Sequence, residues 1–184
     1  IIGNHSGSYP FKGYMSNFRI VKGTAVYTSD FTVPTEPLTA ITNTKLLCLC
    51  SNHFKDKSTS AHTLNTGTNS PYGHSYLPKV RAFSPFARSA AYDPAVHGGS
   101  MWVTHDSHVH VSDATDFDFG TADYCIEAWV YPTSTLNTSW AMVFGTVGAN
   151  QYWAWTDGGG NESIAGFSTY PSNGYSGSFS HMPK

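Results

Sequence analysis

The chain has 184 residues, a formal net charge of −2 and only 12% charged side chains, where about a quarter is usual. Its ten basic residues are scattered singly, which excludes the concentrated positive surface that nucleic-acid binding needs, and no apolar run approaches the ~18 residues of a membrane-crossing helix. Aromatics at 15%, with abundant Gly, Ser, Thr and Asn, point instead to an all-β chain of short strands and frequent turns.

Taken in order, Ile1–Gly3 is a short apolar piece followed by a turn-rich stretch up to Pro10. Phe11 to Tyr27, FKGYMSNFRIVKGTAVY, alternates apolar and polar residues and predicts a strand near Gly13–Val21, with a short apolar segment at Thr24–Tyr27. Pro34 and Pro37 then mark an extended connector rather than a sheet interior. Apolar alternation restarts at Lys45–Cys50, LLCLC included, where Cys48 and Cys50 are expected on one face as buried thiols. Three cysteines at this spacing suggest no disulfide framework. Between Ser51 and Ser89 the sequence is irregular, with short strands expected at Ala61–Leu64 and Lys79–Phe83. Further strands are expected at Gly99–Val103, His108–Val111, Trp140–Gly145, Gln151–Trp155 and Ser163–Thr169. No stretch carries helical periodicity.

The organising stretch is Asp116–Pro132, DFDFGTADYCIEAWVYP. Tyr124, Ile126, Ala128 and Val130 alternate with Cys125, Glu127, Trp129 and Tyr131, the period of a strand. Both faces are mostly apolar, which predicts a central strand covered on both sides, ended by Pro132.

Three segments, FKGYMSNFRIVKGTAVYTSDFTVPTEPL (Phe11–Leu38), TKLLCLCSNHFKDKSTS (Thr44–Ser60) and Ala90–Pro132, resemble laminin-G-like domains of the concanavalin A-like lectin/glucanase superfamily. The likeness is to versions repeated in phage virion and tail-associated proteins and bacterial surface proteins. It implies an antiparallel jelly-roll β-sandwich, an extracellular or virion location and a structural or adhesive role. In such domains the first segment typically closes the unit and the second opens it. The order here therefore implies that residues 1–38 end one unit, 39–44 link, and 45–184 begin the next. The abrupt start and end of the chain give the expectation of an excerpt from a longer polypeptide. The family's middle strands are missing from it, so the sandwich is expected to be incomplete, or completed by a neighbouring copy through head-to-tail association.

Four chemistries follow as candidates. For glycans, which the superfamily commonly binds, Tyr152, Trp153 and Trp155 offer stacking surfaces, with Asp157, Asn161 and Glu162 on the following turn as polar partners; the competing reading makes the indoles core. For calcium, many such domains use a loop rim, and Asp113, Asp116 and Asp118 form the densest acidic group, Asp116 and Asp118 facing out between Phe117 and Phe119; solvated turn carboxylates are the alternative. For a transition metal, His108 and His110 share a strand face, with His97 and His105 nearby; the alternative is a pair of rings on a wet face. Catalysis is not expected: Asp123 and Glu127 are the nearest acidic pair, and four residues along a strand separate them by roughly 13 Å, against about 5–5.5 Å for a retaining glycosidase. The Asn-x-Ser triplets at Asn4, Asn137 and Asn161 matter only in a glycosylating host. The function expected is thus a non-enzymatic, self-associating fibre or virion module, with a glycan-binding adhesin as the alternative and cell-surface glycans as its partners.

Overall fold

A computed structural model describes residues 1–3, 11–68, 77–87, 91–104, 107–112, 115–133, 141–145, 152–156 and 164–169; in the last two strands, and at Thr68, Ala141 and Met142, it describes the backbone alone. The described elements are ten strands, all paired antiparallel, with one turn of α-helix and one of 3-10 helix. The strands are β1 (Gly13–Lys22), β2 (Thr44–Cys48), β3 (Asn65–Thr68), β4 (Lys79–Arg81), β5 (Ser100–Val103), β6 (Ser107–His110), β7 (Tyr124–Pro132), β8 (Ala141–Gly145), β9 (Tyr152–Thr156) and β10 (Ile164–Thr169). The α turn is α1 (Pro94–His97), and the 3-10 turn spans Thr115–Phe117. The protein is therefore an all-β chain, as its composition predicts.

β1 is the spine of the first sheet. One side of it pairs with β7 along its whole length, from Gly13 opposite Pro132 to Lys22 opposite Tyr124. Its other side is shared: Gly13–Met15 pair with β5, and Phe18–Val21 pair with β2. β4 continues the sheet beyond β5. The division falls at Ser16 and Asn17. Asn17 adopts a left-handed backbone (φ 52°), which Asn tolerates better than most residues, and the register against β7 slips there as in a bulge. The Ser16 hydroxyl donates to the Gly99 carbonyl at 2.6 Å, with the Leu49 carbonyl 3.2 Å away, and accepts from Asn17 Nδ2. At Gly99 an added Cβ would stand 2.5 Å from the Ser51 carbonyl, so only glycine lets the two chain segments meet behind the split.

β10, β9 and β8 form a second group of strands and β3 and β6 a third. Ile2 bridges them. Its amide donates to the Val109 carbonyl at 2.8 Å and its carbonyl accepts from Val109, while Gly3 N donates to Val143 O and Gly145 N to Ile1 O. The N-terminal apolar piece thus runs as a short strand between β6 and β8.

One hydrophobic core draws on both assemblies. Met15, Phe18, Ile20, Leu46, Cys48, Met101 and Val103 come from the first sheet, and Ile2, Val109, Val143 and Phe144 from the strands bridged by Ile2. The Phe18 and Phe144 rings meet at 5.4 Å. Each such side chain, fully buried, contributes about 1.5–3 kcal/mol. β1, from the segment expected to close one unit, thus packs with β2, β5 and β7 from the segment expected to open the next.

Several expectations are corrected. β7 is not central: it pairs only with β1 among the described residues, and Cys125–Val130 are half-buried. Its two-face alternation does hold, with Ile126, Ala128 and Val130 against the main core and Trp129 against Leu38, Leu47 and Cys50 on the other side. Apolarity on both faces reflected cover from two directions, and says nothing of a partner in the plane of the sheet. Cys48 and Cys50 lie in different clusters, because Leu49 takes a left-handed backbone (φ 59°) and ends β2. The strand expected at Ala61–Leu64 begins instead at Asn65. The short apolar segment Thr24–Tyr27 belongs to the connector. The connector itself has no regular structure, as Pro34 and Pro37 suggest, and crosses the outer face of the sheet.

Candidate functional site

The outer face of the first sheet carries a transverse row of side chains. In strand register, Tyr131 of β7 stands opposite Tyr14 of β1, Tyr14 opposite Trp102 of β5, and Trp102 opposite Lys79 of β4. Directly paired residues of antiparallel strands point to the same side. Met15 and Met101, the neighbours in sequence, are completely buried in the core, so the row faces away from it. The rings are in contact: Tyr14 lies 4.7 Å from Trp102 and 6.3 Å from Tyr131 by ring centroids. Phe83, just after β4, folds back over them, 4.4 Å from Tyr14 and 5.8 Å from Tyr131. Three steps between strands at ~4.8 Å make the row about 14 Å long. It is partly open to solvent: Tyr131 is 57% and Phe83 40% exposed, while Tyr14 and Trp102 are half-buried. The local cause is Gly13, where a Cβ would lie 2.2 Å from the Tyr131 carbonyl. Without a side chain there, β1 and β7 approach closely enough to bring Tyr14 beside Tyr131.

Further along the same face the row gives way to a buried polar group. Arg19 and Glu127 are paired in register, with Arg19 Nε 2.7 Å and NH2 2.5 Å from Glu127 Oε1. Tyr27 from the connector donates its hydroxyl to Oε2 at 2.8 Å, and Arg19 NH1 donates to Thr39 O. The connector is thereby tied over the sheet at both ends of the ion pair, with Leu38 N held by Asn17 Oδ1. Burial, then the hydrogen bond to Glu127, pushes the Tyr27 hydroxyl up to about 12. Burial and the neighbouring Glu127 carboxylate likewise push the Cys125 thiol to about 11. Glu127 is committed to structure, and Asp123 is exposed at the mouth of the next turn.

The acidic group expected to bind calcium is divided. Asp113 lies outside the described residues. Asp116 does not face out beside Asp118, because Thr115–Phe117 form a 3-10 turn rather than a strand. Its carboxylate meets Lys45 Nζ at 3.2 Å, His62 Nε2 at 3.1 Å and the Ser60 hydroxyl at 2.9 Å. Burial alone would raise the Asp116 carboxyl, but the bonds from Ser60 and Lys45 and the charge nearby hold it below the usual range. Asp118 is exposed, and Phe117 and Phe119 are buried as expected. His108 and His110 do share a face of β6, ring centroids 5.3 Å apart, but the face is not wet at His108, which is 5% exposed. Its ring lies over Gly67 of β3, where a Cβ would meet Nε2 at 2.5 Å. Among the described residues no three His, Cys, Asp or Glu side chains gather in a way that would hold a metal ion.

Tyr152, Trp153 and Trp155 fall on β9, between β8 and β10; their side chains, and Asp157, Asn161 and Glu162, lie outside the described residues, as do His105, Asn4 and Asn137. Sequence reasoning passed over Tyr14, Phe83, Trp102 and Tyr131. Alternation puts Tyr14 opposite Met15 in direction, but which strands stand beside it is a matter of long-range register. No helix among the described residues is long and apolar enough to cross a membrane. Comparison with models of known protein families, with curated proteins and with solved structures found no match.

Proposed function

We propose that this chain is a non-enzymatic structural module of a repetitive extracellular or virion-associated protein, a jelly-roll β-sandwich of laminin-G-like kind that associates with copies of itself through the free edge of β7. One observation carries the reading. β7 is nine residues long and, among the described residues, pairs on one side only and shows none of the usual protections of a border strand. Its one charged residue, Glu127, is turned to Arg19, and its one proline is the last residue. A core shared between two sets of antiparallel strands supports the sandwich, and the commitment of Asp56, Asp116 and Glu127 to internal bonds supports assembly rather than turnover.

Sedimentation velocity over a range of concentrations tests this. The chain associates as concentration rises, and Tyr124→Lys, which sets a charge at the 37%-exposed start of β7, weakens that association. A chain that stays monomeric throughout overturns the reading. The aromatic row favours a second role, attachment to glycans. An oligosaccharide array probed with Trp102→Ala, and with Trp153→Ala and Trp155→Ala for the other candidate platform, separates the two surfaces.

A further inference from the structure

Resting on the glycan-attachment reading, we infer that the outer row Tyr131–Tyr14–Trp102–Lys79 is a site for acidic saccharides, entered with the sugar chain lying across the strands. The argument begins with the rings. Three in-register aromatics span about 10 Å, about 14 Å with Lys79 included, and Phe83 packs against Tyr14 and Tyr131 to make a partly exposed surface. The electron-rich faces of such rings attract the polarised C–H faces of a sugar, and a row offers this to successive residues of a short oligosaccharide.

Charge then narrows the ligand. Lys79 ends the row, directly opposite Trp102, and Arg81, two residues on, points to the same side of the sheet. Both are exposed. No acidic residue lies in β4, β5 or β1, and the one acid of β7, Glu127, is bound to Arg19 and Tyr27. In a chain of net charge −2, this end of the row is locally positive. The planar guanidinium of Arg81 suits a carboxylate or sulfate, and the Lys79 ammonium supplies a point charge beside the last ring. Neutral sugars gain only the stacking; an anionic group placed over Lys79 and Arg81 gains both.

The test is equilibrium binding of three tetrasaccharides, one of uronate residues, one sulfated and one neutral, each at low and at raised salt. The site predicts that at least one anionic probe binds tenfold or more tighter than the neutral one, and that salt narrows the gap. Trp102→Ala and Tyr131→Ala weaken every probe about tenfold, whereas Lys79→Gln with Arg81→Gln weakens only the anionic ones and removes their salt dependence. Tyr131 is exposed enough for its variant to keep the wild-type melting temperature, so loss of binding there is not loss of fold. Equal binding of neutral and anionic probes, unmoved by the Lys79 and Arg81 changes, overturns the acidic-saccharide site while leaving glycan attachment standing. Binding of no probe, or binding indifferent to Trp102→Ala and Tyr131→Ala, overturns both. If Tyr131→Ala abolishes self-association instead, the row is a contact between copies and the inference fails.

Discussion

On β2 the groups that point away from β1 are already satisfied, whereas on β7 the corresponding side of the strand meets no partner among the described residues. The Leu47 amide donates to Asp56 Oδ1 at 3.0 Å, and the Leu47 carbonyl accepts from Lys57 N at 2.7 Å. Asp56 is itself buried and accepts three further bonds, from Ser58 N, Ser58 Oγ and His62 N. The loop after β2 therefore folds back as a substitute strand, and a carboxylate with four acceptor sites fully used holds it there. Among the described residues no such loop pairs with β7. It is fixed from its outer face, by Glu127 to Arg19, and from its inner face by Ile126, Ala128 and Val130. One sheet thus shows a border strand closed from within and another that, among the described residues, is paired on one side alone.

The sharpest way to break this contrast is to remove what holds β7 from above. Glu127→Ala leaves the Arg19 guanidinium buried without its partner, and unfolding in urea should show a loss of roughly 3–5 kcal/mol. An unchanged midpoint would mean that the pair adds nothing to the fold. On the closed edge, Asp56→Ala strands the Leu47 and His62 amides and the Ser58 groups. A loss of about 3 kcal/mol is expected, together with faster amide exchange at Leu47; loss of stability without that local exchange would separate Asp56 from the edge it is held to close.

The alkaline limb sharpens the account of the outer face. Cys125 and Tyr27 both have folded-state values above their ordinary ones, about 11 against 9.0 and about 12 against 10.0. For groups raised by folding, the stabilisation is whole below the unfolded value and is lost as pH climbs toward the folded one. Melting temperature should therefore fall from pH 9 upward, through the cysteine window first and the Tyr27 window after it; burial raises the Cys48 and Cys50 thiols as well, so Cys125→Ser removes only its own share of the earlier part. A flat profile from pH 9 to 12 would contradict the burial of both groups. The smallest effect on stability belongs to Tyr124→Lys, which gives up a ring stacked on Phe119 at 4.7 Å and should cost about 0.5–1.5 kcal/mol, although it should also weaken association.

Much of the fold was legible in the sequence because it was local. Alternation in FKGYMSNFRIVK and DYCIEAWVYP reports which side chains share a face, and Pro34 and Pro37 report a segment that cannot join a ladder. What alternation does not carry is the order of strands. β7 reads as central because both its faces are apolar, yet one face is covered by the core and the other by Trp129's neighbours under the connector, and its lateral edge meets no strand among the described residues. Single backbone reversals at Asn17 and Leu49 were equally silent, and each redirects the side chains after it. The row at the candidate site is a still clearer case. Tyr14, Trp102, Tyr131 and Lys79 come from four separated parts of the chain, and only the pairing of β1 with β5 and β7, and of β5 with β4, brings them into line. Closeness in sequence is by contrast a poor guide to Asp116 and Asp118, since a 3-10 turn sends the first to Lys45 and His62.

The claim on which assembly depends is that β7 offers an unpaired ladder to a second copy. Residue-resolved hydrogen exchange of the β7 amides, followed from dilute to concentrated protein, reads this directly. The account predicts an alternating pattern when dilute, with amides turned to β1 protected and those turned outward exchanging freely, and predicts that the outward set becomes protected as copies associate. Uniform protection of β7 in the dilute monomer, or outward amides that stay unprotected at every concentration, would contradict it.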